Sequence, residues 1–149
     1  MIEFNFSPFP NIETERFLLR QMMEKDVEAY FTMKTDERVM IYSNRDAPKS
    51  VNDVRDKIKT VNDAIAVNEK IAWAIAEKGS DKFLGTISFH KIDRNHHRAE
   101  VGYQLLFENW NKGIMSEALK TVIAFGFDTM KLHSIEGRGY KKKHFLNKK

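Results

Sequence analysis

The sequence predicts an α+β domain, an α/β sandwich in which helices flank a mixed, mostly antiparallel sheet. Two observations carry that expectation. Apolar residues recur at spacings of three and four in three stretches, near residues 26–34, 50–65 and 111–130, and at strand-like spacing in the segments around them. Between residues 71 and 106, three strand-like segments follow one another with only polar turns between them, the pattern of strands paired antiparallel in succession. A length of 149 residues, 42% of them hydrophobic, supports one core without staples, since a chain of this size buries roughly 68–70% of the surface it exposes when unfolded.

Taken in order, TERFLLRQ at 14–21 reads as a short strand. Asp26 then opens a helix whose apolar positions are Val27, Tyr30 and Phe31. A second helix starts at Ser50, where Ser50 and Asp53 have the spacing of a capping box, and its apolar face is Val51, Val54, Ile58, Val61 and Ile65. At Ile71 the period changes: Ile71, Trp73 and Ile75 share one face and small alanines the other, as in a strand covered on both sides. Gly79, Ser80 and Asp81 supply a turn, followed by strands over 83–92 and 98–106 joined by the polar DRNHH. The long helix that follows presents Leu119, Val122, Ile123, Gly126, Phe127 and Met130, with Gly126 allowing close approach to the sheet. HSIEG begins one more strand. No linker or internal repeat divides the chain.

Composition excludes several function classes. The chain has no cysteine, which removes disulfides, thiolate metal sites and cysteine nucleophiles and favours a reducing, cytoplasmic setting. No apolar run approaches the roughly 18 residues of a membrane span, and the acidic N-terminal stretch does not read as a secretory signal. The net charge of +4 is local: residues 138–149 hold six basic residues and no acid, and the remainder holds 19 basic against 21 acidic residues. The body of the chain therefore carries no excess for direct nucleic-acid binding, and the basic tail reads as a solvated end. A tail that docked on RNA would bind with steep salt dependence. The adjacent His96 and His97 sit in a polar turn without the spacing of metal ligands, so no metal site is expected. His90 reads as a surface residue, with a place facing the substrate groove as the alternative, Trp73 as core, Trp110 as a cover for the loop that follows it, and Met22, Met23, Met33, Met40, Met115 and Met130 as packing residues.

The chemically informative segment runs from Arg98 to Leu119: a strand, a polar break, then Asn111, Lys112, Gly113, Ile114, Met115 and Ser116 opening a helix. A helix N-terminus presents unpaired NH groups and partial positive charge, so it can hold a pyrophosphate without a cationic side chain. RAEVGYQL followed by WNKGIMSEAL, with LGTISF and ETERFLLR upstream, resembles the GNAT superfamily of acetyl-CoA dependent N-acetyltransferases, and within it the branch of ribosomal-protein N-terminal acetyltransferases. The resemblance covers residues 13–136 and implies an acyl-CoA N-acyltransferase-like fold. It implies a splayed strand whose backbone pairs with the pantetheine arm of acetyl-CoA along Leu105 and Leu106, and a pyrophosphate held on Asn111, Lys112, Gly113, Ile114, Met115 and Ser116. The family loop is often Arg or Gln, two residues, Gly, one residue, then Gly or Ala; Trp110 and Met115 stand at its first and last positions here.

Acetyl transfer requires a neutral amine, and Glu100 is the candidate base. Alternation places it on one strand face with Gly102 and Gln104, where the resemblance puts a carboxylate upstream of the thioester. Pairing with Arg94 or Arg98, or substrate binding alone, is the alternative role. The family pattern stops after Glu136: GRGYKKKHFLNKK shows neither helical nor strand periodicity, which sets Tyr140 aside as a catalytic acid. The expectation is a C-terminally incomplete GNAT domain over 1–137, a basic tail over 138–149, and an open sheet edge that makes a homodimer possible. The function implied is transfer from acetyl-CoA to an amine acceptor, foremost a protein N-terminus. A small-molecule amine and a catalytically compromised CoA-binding protein are the alternatives.

Overall fold

The computed structural model describes residues 3–41, 43, 46–139 and 142–147. Its sheet has seven strands in sequence order, β1 (Ile12–Glu13), β2 (Phe17–Arg20), β3 (Ile71–Glu77), β4 (Phe83–Asp93), β5 (Arg98–Leu105), β6 (Ser134–Gly139) and β7 (Lys142–Asn147). Every neighbouring pair is antiparallel except β5 and β6, which run parallel. Helices α1 (Val27–Thr35), the short α2 (Glu37–Met40) and α3 (Val51–Ala66) precede β3, and α4 (Ile114–Asp128) is the crossover between the parallel strands.

Alternation along β3 decides which residues meet which layer. Trp73 meets Phe125 of α4 edge-on at 5.4 Å and Phe89 of β4 at 6.3 Å. The buried alanines Ala72 and Ala74 leave room on the opposite face for α1 and α3. Helix α4 buries Ile114, Ala118, Val122 and Gly126, an i, i+4 stripe. The expected face is thereby corrected by a fraction of a turn, because Leu119, Ile123 and Phe127 are only partly buried. A Cβ on Gly126 would lie 2.8 Å from Cζ of Phe89 and 3.0 Å from Cδ1 of Ile135, so the missing side chain sets the helix-to-sheet distance.

Several local expectations change. The strand over 14–21 is shorter and belongs to a hairpin, because Thr14 Oγ1 and its backbone NH turn back onto Phe17. Ser50 caps α3 by accepting from the Asp53 NH at 3.2 Å, but the Asp53 carboxylate accepts from the Lys49 NH rather than from that of Ser50. Met23 is exposed rather than packed. The expectation that the segment after Glu136 lacks strands is also corrected. Its backbone continues β6 to Gly139 and returns as β7, pairing Glu136 with Phe145 and Gly139 with Lys142. The ladder of backbone bonds supplies order there that side-chain alternation did not announce. The outer edge beyond β6 is thus β7, not an open β6. Tyr140 lies outside the described residues.

Candidate active site

The pairing of β5 with β6 runs from Arg98 opposite Ser134 to Val101 opposite Gly137 and stops, although β5 continues to Leu105. Among the described residues no strand pairs with β5 from Gly102 to Leu105 on the side away from β4, so an extended ligand can add to that edge as another strand would. Beyond it, Leu106 donates its NH to the Leu84 carbonyl at 3.0 Å and accepts from the Asn109 NH at 2.9 Å, while the Leu105 carbonyl accepts from Trp110 Nε1 at 3.1 Å. Leu105 and Leu106 are buried, and so is Asn109, whose amide donates to the Leu84 carbonyl at 3.2 Å. Trp110 is therefore tied to β5 before the loop, and sequence reasoning missed the matching part of Asn109.

The loop then turns sharply into α4. Asn111 and Gly113 both take left-handed conformations, with φ of 61° and 74°, which Gly adopts without penalty and Asn tolerates. Gly113 at the N-cap has no side chain to cap the helix; Glu117 NH is bonded to the Gly113 carbonyl at 3.2 Å, and the NH groups of Ile114, Met115 and Ser116 are the N-terminal donors. Ile114 is buried and Met115 packs against the core, whereas Lys112 and Ser116 are exposed. The first turn thus faces the core with side chains and the outside with backbone donors.

A clamp that sequence reasoning did not find holds this turn. The Glu117 carboxylate accepts from the Thr14 hydroxyl at 2.6 Å, the Arg16 NH at 2.9 Å and Arg16 Nε at 2.7 Å. Arg16 Nη1 reaches the Lys112 carbonyl at 3.3 Å. Partial burial opposes ionisation of Glu117, but the Thr14 hydroxyl and the Arg16 backbone and guanidinium outweigh it and hold the carboxyl down at about 2. The ETERFLLR motif contains both Thr14 and Arg16, but nothing local in it signals a partner 101 positions away.

On the sheet face toward α1 and α3, β4 and β5 place His90 opposite Glu100, Ser88 opposite Gly102 and Thr86 opposite Gln104. Glu100 also stands beside Glu136 in the β5–β6 register. Its side chain is only 12% exposed and pairs with Lys91 Nζ at 3.0 Å, not with Arg94 or Arg98. His90 lines a groove of about 200 Å³ with Tyr30, Lys34, Lys70, Ser88 and Gln104, which corrects the surface reading. Lys34 Nζ donates to Gln104 Oε1 and lies 5.4 Å from the centre of the Tyr30 ring. His96 pairs with Asp93 at 2.9 Å and His97 stacks on His133, and no group of metal-binding side chains forms among the described residues.

Residues 16–142 match the family described as the acetyltransferase (GNAT) domain. The chain belongs to the GNAT acetyltransferase family. It is 32% identical to the N-acetyltransferase YoaA of Bacillus subtilis (strain 168) over 85% of its own length and 72% of that protein's. It is 25% identical to the ribosomal-protein-serine acetyltransferase of Escherichia coli (strain K12), over 74% of its length and 62% of that protein's. A crystal structure of a GNAT acetyltransferase from Bacillus anthracis superposes with a TM-score of 0.73 at 29% identity, covering 86% of this chain and 72% of that one. Spermidine N-acetyltransferase from Vibrio cholerae, solved with CoA and spermine, shares the fold at 17% identity, with a TM-score of 0.69 over 81% of this chain and 69% of that one. The sheet flanked by helices is the acyl-CoA N-acyltransferase-like fold of this GNAT family. Among the described residues no helix is long and apolar enough to cross a membrane.

Proposed function

We propose that this GNAT chain moves the acetyl group of acetyl-CoA to the α-amine of a protein N-terminus in the cytoplasm. The observation that carries the reading is the continuity between the free edge of β5 past Val101 and the uncapped first turn of α4 at Gly113. One offers a strand-like groove and the other an anion site, the two features that a pantetheine arm ending in a pyrophosphate requires. In this reading the arm follows β5 to Leu105 and Leu106. The backbone of Asn111, Lys112, Gly113, Ile114, Met115 and Ser116 receives the pyrophosphate, with Lys112 adding charge and Ser116 a hydroxyl. The match to a ribosomal-protein-serine acetyltransferase supports a protein N-terminus as acceptor.

Acetyl-CoA supplies the activated thioester. The amine nitrogen bonds to its carbonyl carbon, the carbon–sulfur bond breaks, the ammonium proton passes to Glu100 and the departing thiolate takes a proton from solvent. Glu100 suits that part because it is largely shielded and lies on the groove side of β5, two residues before the free edge begins. Calorimetric titration with acetyl-CoA, followed by a free-thiol assay with N-terminal peptides, tests the reading. Saturable binding with amine-dependent thiol release is the expected result; absence of binding overturns it.

A further inference from the structure

The groove beside Glu100 has a charge pattern that sorts acceptors. Lys34 comes from α1, Lys57 from α3 and Lys70 from the turn before β3, and all three line the groove together with His90. Every aspartate and glutamate of the sequence lies among the described residues, and none lines the groove. The nearby carboxylates stand elsewhere. Glu100 and Glu136 sit side by side beyond the Gly102 end, and Asp46 and Asp53 line an outer hollow that shares Lys34 and Lys57 but not Lys70. Along β5 from Gln104, which holds Lys34, to Glu100 is a run of roughly 13 Å at strand spacing.

We propose that this groove selects N-termini with acidic side chains next to the reacting amine, and that Lys70, aided by Lys34 and Lys57, is the specificity-determining cation. The inference rests on the amine-acetylating reading above. A peptide entering amine-first carries its positive end to Glu100 and its next side chains past the lysines. Carboxylates there meet the positive charge of three lysines, whereas lysine or arginine side chains, or the further ammonium groups of a polyamine, meet like charge in a partly desolvated slot. Rejection of cations contributes to selection as much as attraction of anions does.

The test uses three hexapeptides that begin with serine and differ only at positions two and three, Asp-Glu, Ala-Ala or Lys-Lys, with spermidine as a fourth acceptor. Thiol release at saturating acetyl-CoA gives kcat/KM, and calorimetric titration of each peptide in the presence of CoA gives affinity without turnover. The acidic peptide is expected to exceed the basic one by about tenfold or more, spermidine to be poorest, and the ratio to shrink with added salt. Lys70→Glu should bring the acidic-to-basic ratio to about one or below, and Lys70→Gln should place it between. Equal or greater use of the basic peptide, or a ratio unmoved by both Lys70 variants, overturns the inference. The same ranking in binding without thiol release would uphold the charge selection and overturn the transfer reading instead. Turnover without any ranking would do the reverse.

Discussion

At Glu100 the surroundings matter as much as the carboxylate. Its pairing with Lys91 at 3.0 Å orients the carboxylate, and its place opposite His90 puts it at the groove end. Glu100→Gln keeps size and hydrogen bonding but cannot take a proton. The variant should lower kcat by about 10²-fold or more with little change in KM for acetyl-CoA, read by steady-state thiol release across a pH series; full turnover across that series would remove Glu100 as the base. Arg16 acts through another group, because its guanidinium holds Glu117 and the Lys112 carbonyl and so fixes the turn that presents the α4 donors. Arg16→Ala should therefore raise KM for acetyl-CoA by roughly tenfold, the loss of a charge-assisted pair at an anion site, while kcat at saturation holds. The corresponding control is S-acetyl-dephospho-CoA and S-acetylpantetheine as donors: a variant whose defect lies in the pyrophosphate turn loses its disadvantage with S-acetylpantetheine.

Elements are joined by polar clusters as well as by the core. Arg20 at the end of β2 is buried, and its Nη atoms meet the Asp26 carboxylate at 2.8 and 2.9 Å while Nε meets Asp81 at 2.8 Å. The Asp26 bond raises the Arg20 pKa most and outweighs the opposing effect of burial. Asp26 also accepts from the Met23 NH at 2.8 Å, and the Arg20 side chain, held between Asp26 and Asp81, ties β2, the entry to α1 and the β3–β4 turn together. Removing one member of a buried pair strands the other. Asp26→Ala should cost about 3–5 kcal/mol and lower Tm by on the order of 10 °C for a domain of this size, measured by thermal unfolding. A shift within a degree or two would mean that water replaces the carboxylate there.

Over the whole molecule, acid sensitivity follows from carboxylates that give up protons more readily when folded. The Glu117 carboxyl lies at about 2 against an ordinary 4.5. Asp81 is lowered by Lys25 and Arg20, and Asp93 by His96. The unfolded chain binds more protons than the folded one in that range, so the stability these groups contribute is complete above the unfolded carboxylate values and drains as pH falls toward the folded ones. Urea midpoints should accordingly hold above about pH 5 and decline below it, and Glu117→Gln should make the decline shallower. An unchanged slope in that variant would show that the clamp does not survive in solution.

How much of this was readable from the sequence depended on distance along the chain. Helix α3 with its Ser50 cap, the doubly covered β3, the buried-face helix α4 and the loop ahead of it all follow from interactions within four residues, which a period or a cap records directly. The family was readable too, because its motifs lie in such local segments. The hairpin of β6 and β7 was not, since backbone pairing leaves no mark in GRGYKKKHFLNKK. Register alone decided the rest: which strand face holds His90 beside Glu100, where β5 parts from β6, which lysines of three separate elements share one groove, and that Arg16 closes on Glu117. Local sequence was enough for α3, α4, the strands β3 to β5, most of the core and the turn ahead of α4. The lysine-lined groove and the Arg16–Glu117 clamp came only with the tertiary structure, because groups tens of residues apart meet only when packing has fixed the register of the whole sheet.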